Sequence, residues 1–174
     1  TMTPVERLAT KADGKQRELV ENQRGITYYK LFGPYLAGAK KIVVEDAYVR
    51  KPYQLRNLAE FLEMLLRCKN SDEDVAVHLV TGHNEPGFVE AQLNGLNELA
   101  STFSQLGVNL TYEFRDTLHD RSITSDTGWE ILPGRGLDIF QKFVDGDWLN
   151  PLLRHQQLRR VKECKITYRR IDEK

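Results

Sequence analysis

The residues best suited to chemistry lie in two short runs, at 119–126 (HDRSITSD) and 134–138 (GRGLD). If the first run is a strand, the side chains of His119 and Arg121 share one face, because side chains alternate along a strand. A guanidinium offers a planar fork of donors to a phosphate, and an imidazole can add a hydrogen bond, a charge or a nucleophilic nitrogen. The spacing therefore indicates a phosphate-binding pair.

The second run supplies a third cation between two glycines. Gly134 and Gly136 flank Arg135, and glycine allows a backbone turn to approach a ligand closely. The predicted ligand-binding residues are accordingly His119, Arg121, Gly134, Arg135 and Gly136. The alternative is a structural network of salt bridges among the neighbouring charges, which include Asp120, Arg121, Arg135 and Asp138.

Other polar residues are weaker candidates. His78 lies between apolar residues of a predicted strand, where we expect a backbone partner to satisfy it. Together with His83 and Glu85 it has the residue types of a metal site, but a strand and a loop are not expected to converge there. Glu45 and Asp46 end a predicted central strand, where open α/β sheets place ligands. We predict no metal site and no cofactor.

The balanced net charge excludes a protein that attracts anions through its overall charge. The 174 residues include 25 basic and 25 acidic side chains, so any anion binding must come from a local patch. Residues 149–174 contain eight basic and three acidic side chains, a net charge of +5. If this segment packs near Arg121 and Arg135, it builds a positive face for an anionic headgroup or a nucleic-acid backbone. The alternative is a solvated surface strand.

The elements that must position these residues alternate between helices and strands. Hydrophobic periodicity predicts helices near 28–36, 52–67 and 88–106, a short helix at 137–144, and strands at 41–49, 75–81, 108–114, 119–125, 128–132 and 163–171. The two strands before residue 133 are joined by a Ser-Asp-Thr-Gly turn and read as a hairpin. This order predicts an α/β layered fold with a mixed sheet.

The N-terminal segment and the cysteines indicate how the chain is divided and in which setting it functions. Residues 1–24 are mostly polar, which predicts a linker or a frayed helix, followed by one domain at 25–174. Cys68 and Cys164 lie far apart without a CxxC pair, which favours a reducing, cytoplasmic setting. No apolar run approaches the length of a membrane span, which is roughly 18 residues.

The residues of the two runs at 119–126 and 134–138 show resemblances to two known families. The pattern His119-x-Arg121-x4-Asp126 resembles the HxK(x)4D motif of the phospholipase D superfamily, with arginine in place of lysine. A longer, ordered set of residues over about 21–171 is similar to the C-terminal domains of MIT (microtubule-interacting and trafficking) proteins. That set comprises Asn22-Gln23-x-Gly25-x-x-Tyr28, Glu45-Asp46-x-Tyr48-x-Arg50-x-x-Gln54-Leu55, His119-Asp120-Arg121, Gly128-Trp129 and Gly134-Arg135-Gly136-Leu137-Asp138.

The resemblance implies a phospholipase D-like fold, a mixed sheet flanked by helices. It also implies a binding module that contacts acidic, phosphoinositide-containing membranes. In the active enzymes of the superfamily the histidine attacks phosphorus, the lysine holds the phosphoryl oxygens and the aspartate supports the histidine, with two copies of the motif in one site. Here there is one copy, Arg121 replaces the lysine, and Leu137 and Asp138 stand where an asparagine normally follows the glycine-rich turn.

These departures favour a non-catalytic module of a larger protein, cytoplasmic or peripheral at membranes, with an anionic phosphate-containing ligand. One alternative is a phosphodiesterase or nuclease with His119, Arg121 and Asp126 as catalytic residues, which requires a homodimer to bring two motifs together. Nucleic acid is an alternative anionic partner. A third hypothesis is a protein–protein assembly domain in which the charged cluster only supports the fold.

Overall fold

The structure is a computed structural model that describes residues 1–142 and 149–171. Its helices are α1 (Pro4–Ala9), α2 (Tyr28–Leu36), α3 (Pro52–Cys68), α4 (Val89–Ser104) and α5 (Pro151–Arg154), followed by a 3₁₀ helix at Gln156–Leu158. Its strands are β1 (Arg17–Leu19), β2 (Lys41–Glu45), β3 (Val75–Thr81), β4 (Val108–Phe114), β5 (Ser122–Ser125), β6 (Trp129–Pro133) and β7 (Cys164–Arg170).

The seven strands form one mixed sheet in the order β1-β7-β6-β5-β2-β3-β4. The β2, β3 and β4 strands are parallel, and the pairs on the other side of β2 are antiparallel. Parallel neighbours require crossover connections, which α3 and α4 provide. The predicted α/β class with a mixed sheet and flanking helices is confirmed.

Helix α3 shows how local sequence determines an element near the candidate site. Pro52 is suited to its first turn because proline has no N–H to leave unsatisfied. The side chain of Gln54 accepts hydrogen bonds from the backbone N–H groups of Arg50 (3.1 Å) and Lys51 (3.0 Å). Further along, Leu58 and Leu62 are fully buried in the core. The cap therefore holds the β2–α3 loop in a defined conformation.

An aromatic cluster anchors the turn that follows β6. The rings of Tyr28, Phe32, Phe61 and Phe140 pack against one another at centroid distances of 5.5 to 6.4 Å. The buried hydroxyl of Tyr28 donates a hydrogen bond to the backbone carbonyl of Leu137. Because a buried hydroxyl requires a partner, this bond ties residues 134–138 to the core.

Three predicted elements differ from the structure. The strand predicted at 41–49 ends at Glu45, because the carboxylate of Asp46 bonds the backbone N–H of Tyr48 (3.0 Å) and turns the chain. The strand predicted at 119–125 begins only at Ser122, where its pairing with Glu45 begins. Residues 137–142 of the predicted helix at 137–144 form a turn and an isolated bridge between Phe140 and Val161, and residues 143–144 lie outside the described part.

The N-terminal segment, predicted to be a linker or a frayed helix, contains helix α1 and strand β1 and contributes to the fold. Leu8 of α1 and Leu19 of β1 are buried, and β1 pairs antiparallel with β7 at the edge of the sheet. Sparse apolar residues at 1–24 concealed this role, since two well-placed leucines suffice to dock the segment. Within residues 1–142 and 149–171, every helix is too short or too polar to cross a bilayer.

Candidate anion-binding site

The sheet topology brings four chain segments to one end. The carboxyl end of β2 lies beside the amino end of β5, because these strands are antiparallel. The same alternation places the carboxyl end of β6 and the amino end of β7 at this end. The loops that carry Arg121 and Arg135 therefore meet, and Arg121 bonds to Gly134, which lies 13 positions along the chain.

Backbone carbonyls orient both arginines. The Nη1 of Arg121 donates to the carbonyl of Gly134 at 3.0 Å, and the Nε of Arg135 donates to the carbonyl of Glu163 at 2.7 Å. Among the described residues, no carboxylate lies within 4.0 Å of either guanidinium. Asp138 instead pairs with Lys162 at 3.0 Å. The salt-bridge network considered as an alternative does not form around these two arginines.

Both arginines line two adjoining cavities. One, of about 800 Å³, is bounded on its other side by residues 18–21 and by the amino end of β7. The second, of about 300 Å³, lies against the β2–α3 loop. A cavity of a few hundred Å³ with convergent polar groups has the dimensions of a small-ligand site. Arg121 and Arg135 are the residues that the two cavities share.

Tyr48 and Arg50 of the β2–α3 loop also line the candidate site, although they were not selected as site residues from the sequence. The guanidinium of Arg50 lies 4.7 Å from the ring centre of Tyr48, and that of Arg121 lies 5.1 Å from it. Cation–π contact of this kind fixes a guanidinium without neutralising its charge. Tyr48 and Arg50 could have been selected from the sequence, because they follow the acidic end of a central strand, where open α/β sheets bind ligands.

Asp46 lies beneath the site and holds its loops together. Its carboxylate accepts hydrogen bonds from the backbone N–H groups of Tyr48 (3.0 Å) and Leu137 (3.1 Å). Only 2% of the residue is exposed, and this burial raises the pKa of Asp46 above its usual range. One buried carboxylate thus links the loop of Arg50 to the turn of Arg135.

Gly134 and Gly136 are needed because other parts of the protein pack closely against their backbone. Gly136 has a φ of 62°, and a Cβ at this position would overlap the carboxylate of Asp46. At Gly134 a Cβ would lie 3.0 Å from the carbonyl of Lys165 on β7. These contacts explain both glycines by packing, so the sequence-based assignment of a ligand contact to them is not required by the geometry.

Comparison with known proteins agrees with this architecture. The family described as "Phospholipase D-like domain at C-terminus of MIT" matches residues 25–170. The chain belongs to this family. A mouse protein, "MIT domain-containing protein 1", is 37% identical over 138 residues, which cover 76% of this chain and 54% of the relative. The chain thus spans about half the length of the curated relative that it matches.

The motif residues of this MIT C-terminal domain do not all converge. His119 is exposed in the loop before β5, which also carries Arg121. Asp126 follows the other end of β5, where its carboxylate accepts a hydrogen bond from the backbone N–H of Lys40 at 3.0 Å. The four residues of β5 span roughly 13 Å. The structure therefore does not place Asp126 where it could support His119.

The C-terminal basic residues are dispersed, and only part of the expected positive face forms. Lys165 lines the larger cavity together with the two arginines, and Glu18, Glu21 and Glu163 line it as well. Arg159 is buried and pairs with Glu60, while Arg169 pairs with Glu130. Among the described basic residues of this segment, Arg159, Lys162 and Arg169 therefore pair with acidic side chains.

The remaining histidine candidate has side-chain partners, contrary to the predicted backbone partner. His78 Nδ1 lies 2.8 Å from the hydroxyl of Thr111, and Nε2 lies 2.8 Å from the carboxylate of Glu113. The hydrogen bond from His78 holds the pKa of Glu113 below its usual value. In the part of the chain that the structure describes, no group of three or more His, Cys, Asp or Glu residues could hold a metal ion.

Proposed function

We propose that this domain is a non-catalytic module that binds phosphorylated anionic ligands, as part of a larger protein. One observation carries the proposal: Arg121 and Arg135 line concave cavities and have no carboxylate partner among the described residues. Arg135 is exposed and Arg121 is partly exposed, so their remaining donors are accessible from solution. An arginine pair retained in this state is suited to an anion that arrives from solution.

The hydrogen-bonding capacity of the two guanidiniums supports a phosphate. A guanidinium has five N–H donors, and the backbone uses the Nη1 of Arg121 and the Nε of Arg135. The remaining donors can form bidentate, charge-assisted bonds to phosphate oxygens. Because the carbonyls and the Tyr48 ring already orient the side chains, binding loses less conformational entropy.

Several features favour binding over hydrolysis. A histidine nucleophile needs an acid that orients it, and Asp126 bonds the backbone near Lys40 instead. The chain has one copy of the motif, and arginine at 121 can hold a phosphate but is a poor adjustable proton donor. A hydrolase would also need a homodimer that pairs two His119 residues.

Titration with inorganic phosphate, followed by isothermal calorimetry, tests the site. We expect the Arg121→Ala, Arg135→Ala double variant to lose binding and the wild type to show affinity that decreases with salt. The matched control is Arg169→Ala, Arg170→Ala, which removes the same charge from the other end of β7. Equal affinities for the two double variants would refute the site.

The source of the phosphate group is resolved by a second assay. Neutral phosphatidylcholine vesicles with and without a phosphorylated inositol headgroup are sedimented with the protein at several salt concentrations. Binding only to the phosphorylated vesicles, abolished by free inositol phosphate, indicates a membrane headgroup. Binding of the free phosphate without sedimentation indicates a soluble ligand. Retention of both double variants on the vesicles would contradict the proposal.

A further inference from the structure

The β4 strand is an open edge of the sheet. It pairs with β3 in a regular parallel register over its seven residues, and no described strand lies on its other side. Natural proteins protect such an edge with lysine, proline or a bulge, because its unpaired backbone groups can pair with another chain. The β4 sequence VNLTYEF contains neither lysine nor proline, and its pairing with β3 has no bulge. The opposite edge, β1, is three residues long, so β4 is the longer edge and is unprotected by its sequence.

Alternate residues of β4 direct their backbone groups away from the sheet. Just before the strand, the carbonyl of Gly107 accepts from the N–H of Val75 at 2.9 Å. Just after it, the N–H of Arg115 donates to the carbonyl of Thr81 at 2.8 Å. In a parallel ladder every second residue bonds to the same neighbour. The odd-numbered residues of β4 therefore face β3, and the even-numbered residues face outward.

Three of the outward-facing residues are accessible. Val108 is fully buried at the start of the strand, whereas Leu110 is 6% exposed and Tyr112 and Phe114 are partly exposed. Among the described residues, no group bonds to the outward backbone N–H and C=O groups of these three residues. An extended chain presents donors and acceptors at the matching two-residue spacing. The geometry of the edge therefore favours a strand as its occupant.

The charge around β4 favours a basic strand. Residues 70–114, which include β3, α4 and β4, contain seven acidic side chains and no lysine or arginine. The hydrogen bond from His78 holds the pKa of Glu113 below its usual value, so this carboxylate is ionised at neutral pH. The next two residues, Arg115 and Asp116, have opposite charges. Because like charges on paired strands are destabilising, a second copy of this acidic edge is a poor occupant.

The two faces of β4 determine which side chains would fit beside it. The rings of Tyr112 and Phe114 lie 5.7 Å apart on the helix side, where the Tyr112 hydroxyl bonds to Asn97 of α4 at 2.6 Å. Thr111 and Glu113 project from the other face and are exposed. Aromatic side chains pair favourably with β-branched ones across strands. A strand that alternates β-branched residues with lysine or arginine therefore matches both faces.

We propose that β4 is a docking edge for an extended basic segment of a partner protein, which adds to the seven-stranded sheet as a further strand. Its backbone bonds to Leu110, Tyr112 and Phe114. Its β-branched side chains pack beside the two aromatic rings, and its lysines or arginines lie on the same face as Glu113. This surface shares no residue with the two arginine-lined cavities, so the inference does not depend on the proposed function.

Amide hydrogen exchange measured by NMR tests the geometry, with a short peptide of alternating lysine and valine as the probe. We expect saturating peptide to slow exchange at the amides of Leu110, Tyr112 and Phe114 at least about tenfold, the factor that one hydrogen bond provides. The amides of Thr111 and Glu113 already bond to β3 and should change less. Absence of binding at about 1 mM peptide, or no preferential slowing at the three even-numbered positions, would overturn the inference.

Control peptides separate strand addition from attraction between charges. One version is N-methylated at its valines and another at its lysines, so each keeps its charge but loses the backbone donors on one edge. We expect one of the two, the one whose lost donors face β4, to bind at least about tenfold more weakly. A glutamate–valine peptide should not bind, because the region around β4 is acidic. Full affinity in both N-methylated peptides would mean that charge alone causes binding, which contradicts the proposal.

Tyr112→Pro tests the edge from the side of the protein. Proline is tolerated in an edge strand where its nitrogen faces outward, so the pairing with β3 should persist. Tyr112→Thr is the matched control, because it also loses the ring but keeps the N–H. We expect the proline variant to bind the peptide at least about tenfold more weakly than the threonine variant. Equal binding by the two would refute the edge, and if the proline variant does not fold, the N-methylated peptides decide with the unmodified chain.

Sedimentation equilibrium of the free chain examines the alternative occupant, a second copy. We expect no self-association through β4, and fast exchange at the three even-numbered positions without peptide. Slow exchange at these positions, together with dimerisation that Tyr112→Pro abolishes, would assign the edge to a second copy and overturn the inference.

Discussion

The arginines at the two ends of the sheet differ in what faces their charge. At the end formed by the β2–α3 loop and the turn after β6, Arg121 and Arg135 bond to backbone carbonyls. At the opposite end, Arg169 pairs with the carboxylate of Glu130, and Arg170 lies 5.1 Å from the ring centre of Trp129. The first pair keeps its charge available, whereas Arg169 is neutralised by its partner.

A third arrangement, in the core, completes the contrast. Arg159 is only 3% exposed and pairs with Glu60, and it also donates to the carbonyl of Arg154 at 3.2 Å. A buried guanidinium needs a counter-charge, because an unpaired charge in a low dielectric is strongly unfavourable. Arg159 and Arg169, which serve the fold, therefore have carboxylate partners, whereas backbone carbonyls orient Arg121 and Arg135 at the candidate site.

Removing the buried arginine should have the largest effect. Arg159→Leu removes the buried guanidinium and leaves the partly buried Glu60 without this partner, and we expect the free energy of unfolding to fall by about 3 kcal/mol. Urea denaturation followed by circular dichroism measures the loss. The control is Arg160→Leu at the exposed neighbouring position, which should change stability little. Similar losses in both variants would erase the distinction between buried and exposed arginines.

Substituting the glycine next to Asp46 should have the next largest effect. Gly136→Ala introduces a Cβ at a positive φ and against the Asp46 carboxylate, which should lower stability by about 1 to 3 kcal/mol. It should also weaken phosphate binding, because the turn that carries Arg135 must shift. Gly14→Ala is the control, since a Cβ there meets nothing within 4 Å. Unchanged phosphate affinity in Gly136→Ala would mean that the turn does not position Arg135.

The pH dependence of stability should reveal the buried carboxylate. Because burial raises the pKa of Asp46 in the folded state, the folded chain binds this proton more tightly than the unfolded chain. The protonated form of Asp46 therefore stabilises the fold below the usual aspartate pKa. This stabilisation is lost as the pH rises through the raised pKa of the folded state. The stability of wild type relative to Asp46→Asn should decrease as the pH rises above about 4, the usual aspartate pKa, as followed by urea denaturation. A pH-independent difference would contradict this assignment.

Breaking the surface ion pair should have the smallest effect. Arg169 is 66% exposed, and exposed pairs contribute about 0 to 1 kcal/mol. We therefore expect Arg169→Ala to change the free energy of unfolding by less than about 1 kcal/mol and to leave phosphate binding intact. Loss of phosphate binding in this variant would show that the two ends of the sheet are not functionally distinct.

Elements with a clear local pattern were predictable in detail. The bounds predicted for the strands at 75–81 and 108–114 agree with β3 and β4, and the helix at 52–67 differs from α3 by one residue. Apolar spacing, Pro52 and the flanking glycines carry this information, because they act over a few residues. The ends of β2 and β5 were less predictable, since Glu45 and Ser122 pair with each other across 77 positions.

The candidate site was only partly visible for the same reason. Arg121 and Arg135 could be selected from residue type and spacing, and the structure brings them together. The roles of Asp46 and Tyr48 could not be selected, because both depend on contacts with residues more than 70 positions away. The sequence suggested His83 only as a metal ligand. Its pairing with Asp116 could not be predicted, because Asp116 lies 33 positions along the chain.

By itself, the sequence determined the α/β class, the order of helices and strands, the family and the arginine pair, because periodicity and residue type survive without knowledge of contacts. Only the tertiary structure decided which charges are neutralised, why Gly134 and Gly136 are glycines, and which histidine has an acid to orient it. These properties depend on distances between side chains of remote segments. Such distances are set by how the strands pair and cross, so they become defined only when the chain folds.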